Sequence, residues 1–358
     1  MTGIVSAQPA TGERLAGLDA LRGVAACVVA FGFHAQYLFA PGTFAPGWGG
    51  PVISWLQTLG WTAVDLFFVL SGYVFAHVYL RGADLASRDG QGAFWIARIA
   101  RLYPLHLALL LVCACLFGSE PDNTVAALAA HLVFAQALVA PVGHTFDGPT
   151  WSLSVEMLCY AVFALAAARG AKTLALITAA ACLIGLTGIA VFGASAELTT
   201  ASVGARGLLG FFGGQLLWRG REHLARIPLA ALAAGMMAGL WLSMTGPFGP
   251  VLPLTLLAWP ALLLIGLRLP LLSARPLTWL GDRSYAVYLL HIPMIDFVAF
   301  STGGLGDSGW MIAAGHLGLA AATLAAADLV YRRFELPARN AVRGLWRRRQ
   351  SAAVPRPA

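Results

Sequence analysis

Charge is what this sequence has least of. Of 358 residues only 11% are charged, against 59% that are hydrophobic, and mean hydropathy is +0.75. Soluble globular chains carry roughly 25% charged residues. The shortfall excludes a disordered chain, a nucleic-acid-binding domain and an ordinary cytosolic enzyme. Lysine is almost missing: Lys172 is the single one among 23 basic residues. Cysteine is sparse too. Cys27, Cys113, Cys115, Cys159 and Cys182 all sit in apolar runs without metal-ligand spacing, so they read as small apolar fillers and no metal site is expected.

What is present is a series of long apolar runs. A spanning helix needs about 20 mostly apolar residues. Ten segments approach that length: 15–39, 52–80, 99–118, 150–168, 173–193, 203–218, 228–245, 251–267, 284–300 and 310–331. The run 125–140 is shorter, lies between Pro121 and Pro141 and holds His131 and Gln136, which suits an interfacial or re-entrant helix. The expected fold is therefore an all-α polytopic membrane protein of about ten transmembrane helices. If both termini are cytoplasmic and 125–140 does not cross, every basic residue except Arg206 falls on the cytoplasmic side, as the positive-inside rule asks. No cleavable signal peptide is evident. The tail after Phe334 is basic with one tryptophan and reads as a topology anchor on anionic headgroups.

Ionisable residues inside spans are costly, so each is a candidate site. Arg22 and His34 share the first span, separated by roughly 18 Å along the axis. Arg98 and Arg101 lie three apart, hence on one helical face, and guanidinium matches phosphate geometry. Asp65 stands alone in an otherwise apolar run, followed by Ser71 and Gly72. Asp19 is spaced to pair with Arg22. Glu156 begins the fourth span at about the depth inferred for His34, where a carboxylate orients an imidazole and stabilises its protonated form. Ser284, Tyr288 and His291 share a helical face, and Pro293 loosens the helix just after the histidine. His77, His106, His131, His144, His223 and His316 have no such settings.

Six phrases, in order across 14–340, resemble the acyltransferase-3 family of membrane proteins. They are Leu-Asp-Ala-Leu-Arg-Gly (18–23) with His34 after it, Ala-Val-Asp-Leu-Phe-Phe-Val-Leu-Ser-Gly (63–72) and Phe-Trp-Ile-Ala-Arg-Ile-Ala-Arg-Leu-Tyr-Pro (94–104). Trp-Ser-Leu-Ser-Val-Glu (151–156), Ser-Tyr-Ala-Val-Tyr-Leu-Leu-His (284–291) and Phe-Glu-Leu-Pro (334–337) complete the set. The resemblance implies an acyltransferase membrane domain over 14–340, between a cytoplasmic tail 1–13 and a basic cytoplasmic tail 341–358, in a bacterial inner membrane. It implies acyl transfer from cytoplasmic acyl-coenzyme A, acetyl being the commonest group, to a hydroxyl of an extracytoplasmic carbohydrate or glycoconjugate.

By the same resemblance His34 is the essential catalytic histidine, with Glu156 and Asp65 as retained acidic positions. Arg22, Arg98 and Arg101 help hold the donor. Trp151, Ser152, Tyr288 and His291 are candidates for substrate contact. No permanently bound cofactor is expected. His34 is expected at the inner end of a cavity that opens through the guanidiniums onto the cytoplasm, as general base and then as acid towards the thiolate; an acyl-histidine intermediate is the alternative chemistry. Some family members add a helix and an extracytoplasmic SGNH hydrolase-like domain. Their absence after the basic tail leads one to expect direct transfer or a separate partner protein. A secondary transporter or flippase of a lipid-linked or hydrophobic solute is the rival class.

One spacing departs from the family. It usually has ten residues between the first-helix arginine and histidine; here there are eleven, Gly23 to Phe33. Eleven steps of about 100° bring two side chains within roughly 20° of one face, whereas twelve leave roughly 120°. Either the two groups face different neighbours or a π-bulge near Gly32 absorbs the extra residue; the spacing predicts the bulge.

Overall fold

The computed structural model describes residues 15–44, 49–82, 84–139, 145–193 and 199–353. The tail 1–13, His144 and the end of the basic tail beyond 353 lie outside the described residues. Among the described residues twelve helices of eight residues or more carry the fold: α1 (Ala16–Leu38), α2 (Gly50–Tyr79), α3 (Arg88–Phe117), α4 (Val125–Leu132), α5 (Gly148–Ala168) and α6 (Ala171–Phe192). They continue as α7 (Thr200–Arg219), α8 (Leu229–Thr245), α9 (Val251–Gly266), α10 (Arg275–Thr302), α11 (Gly309–Val330) and α12 (Leu336–Ala353). Among the described residues seven helices are long and apolar enough to cross a membrane, the last of them running on from α11 into α12. The chain is an all-α polytopic membrane protein.

The helix starts and breaks have local causes. Helix α3 begins at Arg88, eleven residues before the apolar run, because Ser87 caps it by accepting a hydrogen bond from Gly90 N at 3.0 Å, as a serine at this position does. This polar first stretch carries Arg98 just ahead of the apolar part of the helix, with Arg101 at its start. The run 125–140 divides into α4 and a short turn at Gln136–Val139, with Phe134 in the left-handed region between them. At about 1.5 Å per residue, neither piece is long enough to cross. His131 and Gln136 are buried, and Gln136 Nε2 donates to Thr150 O at 2.7 Å, tying this segment to the start of α5.

The first helix departs from α geometry where the spacing argument places the change. It is α-helical over Ala16–Cys27, π-helical over Val28–Phe33 and 3-10 over His34–Leu38. A π-turn absorbs one residue, so the twelve steps from Arg22 to His34 act as about eleven α-steps and return both groups to within roughly 20° of one face. Helix α10, in contrast, continues through Pro293 to Thr302.

Two glycine-mediated approaches bring the site together. A Cβ on Gly281 of α10 would stand 2.3 Å from the Asp19 carbonyl oxygen of α1, and one on Gly23 would stand 2.7 Å from Gly281 N. A Cβ on Gly72 of α2 would stand 1.7 Å from the Phe211 carbonyl oxygen of α7. Backbones this close need small residues. We expect Gly281→Leu to force α1 and α10 apart and to cost at least 1–3 kcal/mol, a usual range for overpacking (about 1–3 kcal/mol). A fall in the thermal midpoint of the purified protein would show it, and an unchanged midpoint would refute the close approach.

The basic tail, read from sequence as a headgroup anchor, also packs on the bundle. Helix α12 packs along α3, with Trp346 against Gly92, where a Cβ would meet the indole at 2.6 Å. The indole needs an apolar bed, and the bare Gly92 backbone supplies one. Arg347, Arg348 and Arg349 remain exposed beyond it.

Candidate functional site

A cavity of about 570 Å³ lies between α1, α2, α3, α5, α10 and α12. Its walls are apolar, from Val64, Phe67, Phe68, Val74 and Leu153. One end is cationic. Arg22, Arg98, Arg101 and Arg343 all line the cavity. Arg22 lies 3.8 Å from Asp19, the i, i+3 partner. Arg98 packs its guanidinium over Phe75 at 4.7 Å and donates to Tyr79 OH at 3.2 Å. The three arginines singled out by sequence therefore share one space, joined by a fourth that the sequence did not suggest.

The other end is hydroxylic. Ser152 Oγ and Tyr288 OH lie 3.1 Å apart, and each is also within reach of the Pro149 carbonyl, at 3.1 and 3.0 Å. Two hydroxyl protons serve three contacts, so the pair can rearrange its donors without moving a heavy atom.

Beyond Tyr288 stands the imidazole pair. His291 Nδ1 lies 2.7 Å from the Tyr288 carbonyl, one turn back on α10, and His291 Nε2 lies 2.9 Å from His34 Nδ1. The tautomers follow by elimination. A carbonyl only accepts, so His291 Nδ1 carries the proton. With both rings neutral, His291 Nε2 then accepts, and His34 Nδ1 donates to it. That leaves the lone pair of His34 on Nε2. His291 is fully buried, whereas His34 is partly exposed. An imidazole oriented in this way by a second ring can accept a proton at Nε2, as a histidine held by a carboxylate does in hydrolytic triads.

Among the described residues His34 does not line the cavity. The expected passage from the guanidiniums stops at Ser152 and Tyr288. Tyr288 packs its ring against Phe67 at 5.7 Å and against His291 at 5.8 Å, and this stack fills the space between cavity and imidazole.

The two acidic candidates lie elsewhere than at the imidazole. Glu156 lines the cavity and accepts hydrogen bonds from Ser71 Oγ at 2.8 Å and from Tyr160 OH. Asp65 is fully buried against Arg206, with Arg206 Nε 2.8 Å from Oδ1 and an Nη nitrogen 3.3 Å from Oδ2. The guanidinium is sandwiched by Trp61 at 4.6 Å and Trp151 at 5.0 Å. Asp65 and Trp151 are thus brought together in a brace between α2, α5 and α7, outside the cavity lining.

Sequence reasoning passed over four residues here. Arg206 had a signal, as the one basic residue on the wrong side of the charge count. Tyr160 had another, sitting four residues after Glu156 on α5. Arg343 had none, because its helix read as a tail. Asp147 is buried with neither carboxylate oxygen bonded; burial, and then Asp296, push its carboxyl well above the usual range. Among the described residues no group of three or more His, Cys, Asp or Glu side chains could hold a metal ion.

The family model for an acyltransferase domain matches residues 15–332, and the chain belongs to that acyltransferase-3 family. It is similar to the acyltransferase MdmB of Streptomyces mycarofaciens, 35% identical over 161 residues, covering 42% of this chain and 39% of that protein. It is 36% identical over 181 residues to protein 2 in the picA locus of Rhizobium radiobacter, covering 44% and 84%. It is 27% identical over 327 residues to the putative peptidoglycan O-acetyltransferase YrhL of Bacillus subtilis, covering 78% and 48%. The chain matches less than half the length of the first and third of these proteins. No solved structure matches it. With bacterial relatives and its apolar membrane-length helices, it is a bacterial multi-pass membrane protein.

Proposed function

We propose that this chain is a membrane O-acyltransferase, moving an acyl group, acetyl in the first instance, from acyl-coenzyme A to a hydroxyl of an extracytoplasmic carbohydrate or glycoconjugate. The domain occupies 14–340 and spans the inner membrane ten times, with both termini cytoplasmic. The observation that carries the reading is the cavity with four guanidiniums at one end and the Ser152–Tyr288 hydroxyl pair at the other, with the His291–His34 imidazole pair just behind Tyr288.

The donor is too charged to cross lipid, and the acceptor stays outside. Phosphates held by Arg22, Arg98 and Arg101 leave the pantetheine arm to run along the apolar walls. Because the Tyr288 ring fills the space before the imidazole, the thioester reaches His34 once that ring has swung aside. His34 Nε2 takes the acceptor hydroxyl proton as the oxygen attacks the thioester carbonyl. The carbon–sulfur bond then breaks, and the imidazolium returns the proton to the coenzyme A thiolate. Ester and free thiol are the products, and His34 ends as it began. Glu156, with Ser71 and Tyr160, shapes the middle of the cavity.

Thermal unfolding of the purified chain tests the donor site. Coenzyme A at about 100 times its Kd is expected to stabilise the fold by about 2.7 kcal/mol. Arg98→Ala is expected to weaken coenzyme A binding about tenfold or more, the loss of a charge-assisted bond. No shift with coenzyme A or acetyl-coenzyme A at millimolar concentration would overturn the donor assignment.

A further inference from the structure

The guanidinium end is not made by membrane helices alone. Arg343 lines the cavity beside Arg22, Arg98 and Arg101, and it comes from α12, the last helix, pinned on α3 by Trp346 against Gly92. Arg339 lies one turn earlier on α12, on the same face. Arg339 and Arg98 act on Arg343 as neighbouring like charges, and so does Arg101.

Such crowding is unfavourable unless something anionic answers it. Among the described residues Asp19 stands 3.8 Å from Arg22, Glu156 lines the same cavity, and buried Glu335 lies close enough to feel Arg101 and Arg339; three carboxylates against the guanidiniums of Arg22, Arg98, Arg101, Arg339 and Arg343 leave positive charge in excess. Arg98 Nε and Arg339 Nε are both buried with no hydrogen-bond partner. Buried donors without acceptors are costly; Arg98 lines the cavity, and Arg339 lies one turn from Arg343, which lines it too. A ligand with several phosphate oxygens satisfies both the charge and the donors.

Resting on the donor reading above, we infer that α12 completes the donor site, and that Arg343, supported by Arg339, binds the 3′-phosphate monoester of the coenzyme A ribose. The order of groups along the donor argues for this phosphate. An acyl end directed to Ser152 and Tyr288 leaves the diphosphate next to the arginines of the membrane helices. The ribose and its 3′-phosphate are farthest from the thioester and meet the outermost helix. A phosphate monoester near pH 7 carries between one and two negative charges and suits a guanidinium fork.

The test compares coenzyme A with 3′-dephospho-coenzyme A, binding each to the purified full chain by calorimetry. The unmodified chain is expected to prefer coenzyme A by about tenfold or more, and Arg343→Gln is expected to lose most of that preference. Its affinity for 3′-dephospho-coenzyme A should change less than about twofold. Arg343→Lys, which keeps the charge, should retain part of the preference, so loss of fold is separated from loss of contact. Arg348→Gln, on the exposed end of α12, should leave both affinities unchanged. Equal weakening of both ligands by Arg343→Gln, or no weakening of either, overturns the assignment while leaving the donor reading standing. Binding of neither ligand to the unmodified chain overturns the donor reading itself.

Discussion

Replacing His34 with alanine is expected to slow acyl transfer by about 10²–10⁴-fold, the usual contribution of a positioned general base. Stabilisation by coenzyme A should survive, since His34 lies outside the cavity that would hold the donor. That combination separates chemistry from binding. The partner ring supplies a sharper test. His291 accepts from His34 Nδ1 and is itself anchored on the Tyr288 carbonyl, so its work is to fix which nitrogen of His34 carries the lone pair. His291→Leu should lower kcat about tenfold or more while leaving KM for acyl-coenzyme A nearly unchanged, a loss confined to the chemical step. His291→Gln places a side-chain oxygen where Nε2 stood and should recover part of the rate. A steady-state series on the purified enzyme decides it. Full activity in His34→Ala would remove the mechanism, and equal losses in His291→Leu and His291→Gln would remove the positioning role.

Much of this arrangement was legible in the sequence wherever the signal is local. The π-turn over Val28–Phe33 follows from one residue more between Arg22 and His34 than the family it resembles usually has. Arg98 and Arg101 share a face by spacing alone, and Arg22 joins them because its helix enters at the same end. Asp19 meets Arg22 by the i, i+3 rule.

The illegible parts are those that depend on distant partners. Asp65 is 141 residues from Arg206 in the chain, and no periodicity connects them. Pairing across such distances is decided by packing, here by Gly72 and Gly214 allowing α2 and α7 to touch. His291 had the right face but not its role, because only the third dimension puts its Nε2 on His34. Helix α12 was hidden for a different reason. Its charge reads as a lipid anchor, and the feature that turns it towards the bundle is a glycine on another helix.

The brace between Asp65 and Arg206 carries the largest expected effect on stability, and it also decides what Asp65 is for. Asp65→Asn leaves a guanidinium fully buried between Trp61 and Trp151 with no counter-charge, and its Nη1 already lacks a partner. Removing one member of a buried pair costs about 3–5 kcal/mol. Arg206→Met alone strands the carboxylate and should cost about as much, again roughly 3–5 kcal/mol. Removing both charges together is different. Replacing a buried pair by apolar residues of similar volume is often neutral or stabilising, and methionine can occupy the slot between two indoles. The double variant Asp65→Leu with Arg206→Met should therefore unfold close to the unmodified thermal midpoint, although each single variant falls well below it. Activity then separates the two readings of Asp65. As a brace, the carboxylate is dispensable once its partner is gone, so the double variant should transfer acyl groups at a rate within a few-fold of the unmodified chain. If Asp65 instead took part in the chemistry, the double variant would be stable and inactive. The isolation of Asp65 favours the first outcome, because its carboxylate is paired with Arg206 and does not line the cavity.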